Sequence, residues 1–171
     1  MGTRRRSGRG FSLIELMFVV AIGAVIAAVA IPSYSRYVAK NNRAQGKARL
    51  AQAAQLLERF YSDNSSYYVD FSGGNIVVNT GGSTAAGFAA LMSAPTAAPS
   101  TVYSGSNNEA TSPYTVTLTT PTPNSWTLTA TPRAGSSQAG DMCGNLTLTS
   151  TGVKNITSLP AGSTATLSDC W

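Results

Sequence analysis

The sequence contains no histidine and few charged residues. Only 11% of its 171 residues are Asp, Glu, Lys or Arg, against about 25% in an average soluble domain. Without histidine, neither a Ser-His or Cys-His nucleophile pair nor a histidine metal site can be built. The acids are scattered at spacings that favour no paired general acid and base, and no phosphate-binding glycine motif is present. We therefore expect a protein that is not an enzyme and that holds no metal or cofactor.

Positive charge is concentrated at the start of the chain. Four of the twelve basic residues precede Phe11, namely Arg4, Arg5, Arg6 and Arg9. The remaining eight are nearly balanced by seven acids. The net charge of +5 and the pI of 9.5 therefore give no reason to expect nucleic acid binding by the body of the protein.

A long apolar segment follows these arginines. Residues 11–31 would span about 32 Å as a helix, which matches a bilayer core, and the preceding arginines favour a cytoplasmic N-terminus. Glu15 lies within this segment, where a carboxylate costs roughly 2.5–3.5 kcal/mol. Cleavage between Gly10 and Phe11 would create an α-amino group able to pair with Glu15 of a neighbouring copy. On this interpretation, Glu15 is retained because it pairs neighbouring copies during assembly.

An ordinary secretory signal is the alternative explanation of the same segment. Ala28-Val29-Ala30 fits a signal-peptidase site, and cleavage there would leave Ile31 as the first residue. This alternative leaves Glu15 unexplained, and the apolar run exceeds the usual 7–15 residues of a signal peptide.

The motif Gly10-Phe11-Ser12-Leu13-Ile14-Glu15-Leu16 resembles the class III signal of type IV pilins and type II secretion pseudopilins. The resemblance implies that a prepilin peptidase cuts after Gly10 and N-methylates Phe11, and that Glu15 is the acid of the family pattern. It also implies the α+β pilin fold. In that fold a long N-terminal helix, its hydrophobic half protruding, packs on a small antiparallel sheet followed by a C-terminal disulfide loop.

Residues 32–62 continue the helix in amphipathic form. Apolar side chains recur at helical spacing, at Leu50, Ala53, Ala54, Leu57, Phe60 and Tyr61. With the apolar segment, the pattern predicts one helix of about fifty residues. Gly23 and Pro32 are its weak points, because proline removes a backbone hydrogen bond and kinks helices. The resemblance favours a segment that bends when subunits leave the bilayer.

Basic residues form a second stripe on this helix, at Arg36, Lys40, Arg43 and Lys47. Three roles are open to it: a solvated face or headgroup anchor, pairing with acids of neighbouring subunits, and contact with DNA. Helix charges are usually solvated, so DNA is the least favoured of the three.

The remaining chain divides into a connecting region, 63–112, and a sheet region, 113–171. The connecting region is rich in Gly, Pro, Ser and Thr, with one short strand expected at Ile76-Val77-Val78 and one or two helical turns over 85–92. From Tyr114 apolar residues alternate with threonines, which predicts three antiparallel strands beginning near Tyr114, Trp126 and Leu146. We expect their apolar face to pack on the helix, and residues 153–171 to loop back.

The two cysteines, Cys143 and Cys170, are expected to form a disulfide, because the chain is exported and no histidine completes a metal site. Closing this loop would stabilise the fold by roughly 3–4 kcal/mol. Two buried free thiols are the weaker alternative. The resemblance implies that the enclosed segment is the variable C-terminal loop of pilins.

Three segments are similar to the E-type minor pilins: Asp141-Met142-Cys143-Gly144-Asn145-Leu146, Gly152-Val153-Lys154 and Cys170-Trp171. The resemblance implies a minor pilin, inserted in the inner membrane as a precursor with leader 1–10. After cleavage it would join an extracellular filament for adhesion, twitching motility or DNA uptake. Implied partners are major and minor pilins, the prepilin peptidase and the inner-membrane assembly machinery. The alternatives are a major pilin, a type II secretion pseudopilin and, from another class, a secreted binding domain.

Overall fold

The computed structural model describes residues 11–72, 75–79, 81–92, 102–103 and 112–171. The predicted leader, with the cleavage position Gly10, lies outside these residues. The helices are α1 (Leu13–Asn64), α2 (Ala85–Met92) and α3 (Leu167–Cys170). The strands are β1 (Val69–Ser72), β2 (Asn75–Val78), β3 (Val102–Tyr103), β4 (Tyr114–Thr122), β5 (Ser125–Pro132), β6 (Asn145–Thr149) and β7 (Lys154–Thr157).

The chain divides into two compact units, Met1–Val38 and Ala39–Trp171, and α1 contributes residues to both. In the first unit every described residue from Phe11 to Tyr37 is exposed. By length and composition, this part of α1 is apolar enough to cross a membrane. The single helix of 52 residues confirms the expected length. It continues through Pro32, and the Ser33 hydroxyl donates a hydrogen bond to the Val29 carbonyl at 2.9 Å.

The second unit is built on a five-stranded antiparallel sheet in the order β3-β4-β5-β6-β7. The three strands expected from alternation are its centre. Their threonines pair on the outer face, as between Thr117 and Thr129 and between Thr129 and Thr147. A separate hairpin joins β1 to β2. The predicted short strand and helical turns are present as β2 and α2.

The core lies between α1 and the apolar face of the sheet. Four α1 side chains are buried there, Leu50, Ala53, Leu57 and Phe60, and the remaining stripe residues Ala54 and Tyr61 are partly buried. They belong to one cluster with six residues of the sheet, Tyr114, Val116, Trp126, Leu128, Ala130 and Leu146. The alternating pattern of the strands and the helical spacing of α1 thus predicted the same core from two sides.

Some connections contain more regular structure than the sequence indicates. Residues 153–171 return along β6 as the edge strand β7 and then form the short helix α3. The region 63–112 contains β1 and β3 in addition to the two expected elements. The strands that were not predicted, β1, β3 and β7, have two to four residues and lack a run of β-branched residues such as the one that indicated β2.

Gly144 should be the glycine least tolerant of substitution. Its φ is +58°, and a Cβ there would collide with the main-chain oxygens of Thr157 and Ser158. We expect Gly144→Ala to lower the free energy of unfolding by about 2–5 kcal/mol, from backbone strain and overlap together. Gly135 is the matched control, because its φ of +77° is strained but no described atom lies within 4 Å of its Cβ position.

Gly135→Ala should therefore cost only about 1–2 kcal/mol. Urea unfolding of the full chain in detergent, followed by circular dichroism, measures both variants. Equal losses for the two would contradict the close approach at Gly144.

Candidate functional site

The start of α1 carries the predicted assembly residues. Phe11 is 79% exposed and Glu15 is also exposed, in the first turn of the helix. The Ser12 hydroxyl accepts a hydrogen bond from the Glu15 main-chain N–H at 3.4 Å. Within the described part of the chain no cation pairs with Glu15. The roles of Gly10, Phe11 and Glu15 in cleavage, methylation and assembly remain predictions.

A buried ion pair joins α1 to the loop before β6. The Arg43 Nε and Nη2 atoms donate to Asp141 Oδ1 at 2.8 and 2.6 Å, and Nε also approaches Oδ2 at 3.0 Å. The Asp141 side chain is fully buried and that of Arg43 is 13% exposed. This geometry is the bidentate fork typical of strong arginine–carboxylate pairs.

Three further side chains extend this network. The Tyr114 hydroxyl, at the start of β4, donates to Asp141 Oδ2. Gln138 is buried and donates from Nε2 to the Tyr114 oxygen at 3.2 Å, while its Oε1 accepts from Asn42 of α1 at 3.2 Å. The network therefore fixes α1, β4 and the 138–143 loop together.

The charges of the network are set by its own contacts. Burial alone would raise the pKa of the Asp141 carboxyl, but the hydrogen bonds from Arg43, Tyr114 and Gln138 and the charge of Arg43 more than offset burial, so this pKa lies below its ordinary value. The hydrogen bond to Asp141 raises the pKa of Arg43. Burial, followed by the hydrogen bond to Asp141, raises the pKa of Tyr114. The pair is therefore fully ionised at neutral pH.

The predicted disulfide is present between Cys143 and Cys170, whose Cα atoms are 5.8 Å apart. Both cysteines are buried. Cys143 follows Asp141 by two residues, and its N–H donates to Asp141 Oδ1 at 3.4 Å. The bond thus ties α3 and Trp171 to the same loop that the ion pair holds.

The basic stripe of α1 divides into different environments. Arg43 forms the ion pair with Asp141, whereas Lys40 is exposed and Lys47 is partly buried. The Lys47 Nζ donates to the main-chain oxygen of Trp171 at 3.4 Å. Lys154 of β7 lies over the Trp171 ring, 5.2 Å from its centroid. Sequence reasoning missed this meeting of Lys47 and Lys154, because no local pattern relates residues so far apart.

The described residues contain no group of three His, Cys, Asp or Glu side chains placed to hold a metal ion. The buried carboxylate of Asp141 has its partners within the protein, in Arg43 and Tyr114.

Two family models match the chain. Residues 5–31 match the prokaryotic N-terminal methylation motif. Residues 32–147, about two thirds of the chain, match the family described as type IV minor pilin ComP, DNA uptake sequence receptor. The two matches are contiguous and meet at Ile31 and Pro32.

Curated relatives are similar over shorter stretches. The type IV major pilin protein PilA of Myxococcus xanthus is 39% identical over 59 residues, covering 34% of this chain and 27% of PilA. Fimbrial protein EcpC of Eikenella corrodens is 32% identical over 74 residues, covering 43% of this chain and 48% of EcpC. The type IV major fimbrial protein FimA of Dichelobacter nodosus is 46% identical over 54 residues, covering 28% and 34%. The chain thus spans less than half the length of each of these relatives.

Replacement of Asp141 by Asn should destabilise the second unit strongly. Asp141→Asn keeps the shape of the side chain but leaves Arg43 buried without its counter-charge, which costs about 3–5 kcal/mol. Urea unfolding at pH 7 measures this loss. Asp63→Asn, at the exposed end of α1, is the control and should change stability by less than about 0.5 kcal/mol.

The loss of stability caused by Asp141→Asn should depend on pH. Because the folded pKa of Asp141 lies below the unfolded value of about 3.9, its ionisation stabilises the fold above that value and loses this effect as pH falls through the folded pKa. The difference in stability between the unmodified chain and Asp141→Asn should therefore narrow below about pH 4. A difference that stays constant from neutral to acid pH would contradict this assignment.

Proposed function

We propose that this chain, which belongs to the family of the type IV minor pilin ComP, DNA uptake sequence receptor, is a minor structural subunit of a type IV pilus that takes part in DNA uptake. The observation that carries the proposal is the contiguity of the two family matches: a methylation motif at residues 5–31 leads directly into a minor-pilin body at 32–147. The subunit is inserted in the inner membrane as a precursor and assembled into an extracellular filament.

Processing follows the motif at the start of the chain. The prepilin peptidase cuts after Gly10 and methylates Phe11, so that Phe11 carries a new cationic amine. The apolar surface of α1 from Phe11 to Ile31 is exposed in the isolated subunit. Such a surface requires either lipid or other helices to cover it. Before assembly the segment anchors the subunit in the membrane.

Assembly transfers this helix from lipid to a bundle of neighbouring helices. The Phe11 amine of one copy and the Glu15 carboxylate of the next neutralise each other, which sets the axial register of the subunits. A buried pair of this kind specifies register more than it adds net stability. Gly23 and Pro32 are the positions at which α1 bends during the transfer.

DNA is the partner that the family description supports most directly. The sequence alone ranked this role last for the basic stripe, since helix charges are usually solvated. Twitching motility and adhesion remain shared properties of the filament and need no ligand site on this subunit.

A major pilin is the second candidate, because PilA and FimA, two of the similar proteins, are major subunits. Abundance distinguishes the two roles: a minor pilin is present in sheared pili at a small fraction of the major subunit. A type II secretion pseudopilin is a further alternative, which incorporation into surface pili would exclude.

The mature chain should begin at N-methylated Phe11. Intact-mass and N-terminal peptide analysis of the protein purified from membranes measures this directly. Replacing Gly10 by a bulkier residue should leave the leader attached, since the motif places glycine at the cut. A mature chain that begins at Ile31 would instead show an ordinary secretory signal and overturn the pilin proposal.

Glu15→Gln should leave cleavage and membrane insertion unchanged but reduce incorporation into pili by at least about tenfold. The variant leaves the Phe11 amine of the neighbouring copy without a counter-charge, which costs about 3–5 kcal/mol when buried. Immunoblots of sheared pili and of the membrane fraction give the ratio. Ser33→Ala, another exposed polar position of α1, should incorporate normally. Normal incorporation of Glu15→Gln would remove the assembly role of the acid.

A further inference from the structure

The turn of α1 that follows the apolar segment carries two exposed tyrosines. Tyr34 and Tyr37 are 71% and 72% exposed, and both lie in the first of the two units. They are three residues apart, so they lie on the same side of the helix. Arg36 lies between them in the sequence and is also exposed. We call these three residues the tyrosine–arginine belt.

The polar ends of the belt have no partner within the part of the chain that the structure describes. No hydrogen bond or ion pair there involves any of the three belt residues. The two serines of the same turn differ, because the Ser33 hydroxyl donates to the Val29 carbonyl at 2.9 Å and the Ser35 hydroxyl donates to the Pro32 carbonyl at 3.0 Å. The serines are thus satisfied by their own helix, whereas the belt presents two phenol groups and one guanidinium group to its surroundings.

The position of the belt along α1 matches the headgroup layer of a bilayer. Residues 11–31 span about 32 Å as a helix, close to the roughly 30 Å of a hydrocarbon core. With Ile31 at the boundary of the core, Tyr34 and Tyr37 lie about 4.5 and 9 Å beyond it. The polar layer on each side of the core is about 5–8 Å thick. Helical side chains lean toward the N-terminus of their helix, which is here back toward the core.

The chemistry of the belt also fits this layer. Tyrosine is enriched at membrane interfaces, because its ring is apolar while its hydroxyl group reaches water and headgroups. The Arg36 guanidinium carries the charge opposite to that of a lipid phosphate and suits bidentate hydrogen bonding to it. The belt is continuous with the apolar surface of residues 11–31, so a phospholipid surface is the partner that it fits.

We propose that Tyr34, Arg36 and Tyr37 bind phospholipid headgroups and thereby fix the depth of α1 in the inner membrane. This inference rests on the proposed membrane stage of the subunit and names the partner of the residues at the end of the apolar segment. It concerns the subunit before assembly and is independent of what the filament binds.

The belt determines where Glu15 lies in the bilayer. With Ile31 at one boundary of the core, Glu15 lies about 24 Å along the helix and therefore about 6 Å inside the opposite boundary. A carboxylate in the core favours movement of the helix toward the nearer polar layer. The belt opposes this movement, because the same movement would pull its phenol and guanidinium groups into the core. Glu15 is thus kept within the apolar layer until the amine of a neighbouring copy pairs with it.

The test uses the full chain reconstituted in vesicles of phosphatidylglycerol and phosphatidylethanolamine. A nitroxide spin label is attached to one introduced cysteine, at Met17→Cys or at Ala28→Cys, in separate samples. Cys143 and Cys170 do not react, because they form a buried disulfide. Electron paramagnetic resonance measures the accessibility of each label to oxygen and to a water-soluble nickel chelate, and the ratio gives the depth of the label in the bilayer.

The belt variant combines Tyr34→Ala, Arg36→Gln and Tyr37→Ala. We expect its helix to move by roughly 5 Å, one turn, toward the end that carries Glu15. The label at residue 28 should then lie deeper and the label at residue 17 shallower. Shifts of opposite sign identify movement along the bilayer normal, because a tilt of the helix would move both labels deeper.

Ser35→Ala is the matched control. It removes a polar group from the same turn, but this hydroxyl is bonded to the Pro32 carbonyl and is not available to headgroups. We expect both labels to keep their depth in this variant. The thermal unfolding midpoint should be the same for the belt variant, the control and the unmodified chain, because all four substituted positions are exposed in the first unit.

The other results overturn the inference. Unchanged depth of both labels in the belt variant, a shift of both labels to greater depth, or an equal shift in Ser35→Ala would each refute the belt while leaving the membrane stage intact. Failure of the unmodified chain to place either label in the bilayer would refute the membrane stage as well. The pilin role is tested separately, by the N-terminal mass and by incorporation into pili.

Discussion

The ion pair between Arg43 and Asp141 is the contact on which the C-terminal half of the body depends. It attaches the 138–143 loop to α1, and Tyr114 brings the start of β4 to the same carboxylate. Cys143, two residues after Asp141, forms the disulfide that links this loop to Cys170 and its neighbour Trp171. The position of the last residues therefore derives from one buried charge pair on the long helix. Burying such a pair costs desolvation free energy, but removing only one of its two partners destabilises the fold more, because the other charge is left buried and unpaired.

This dependence explains how much of the fold the sequence could predict. The strand pattern from Tyr114 to Thr149 and the helical stripe around Leu50 and Leu57 are local signals, and each identified its element. The motif around Gly10 indicated the family because all of its residues lie in one contiguous run of the chain. The short strands β3 and β7 gave no such signal, because they are too short to show a period and lack the run of β-branched residues that indicated β2.

The candidate site shows the same limit more sharply. Arg43, Lys40 and Lys47 are equivalent in the sequence, as members of one basic stripe at helical spacing. Only the fold distinguishes them. Asp141, which lies 98 residues further along the chain, forms an ion pair with Arg43 and not with either lysine. Lys47 contacts Trp171 together with Lys154, which lies on a strand that the sequence did not reveal. Charge pattern on a helix thus predicts which side chains share a face, but the tertiary partners decide which charges remain available.

The hydrogen bond from the Trp171 indole to the Asn155 carbonyl has a consequence for the polymer. β7 is the outermost strand of its sheet, and an open edge invites a strand from another copy to extend the ladder. The Asn155 carbonyl is already occupied by the Trp171 indole, and β7 has only four residues. This edge is therefore a poor template for cross-β growth. Copies of the subunit that lie close together, in the membrane or in a filament, are therefore less prone to aggregate through this edge.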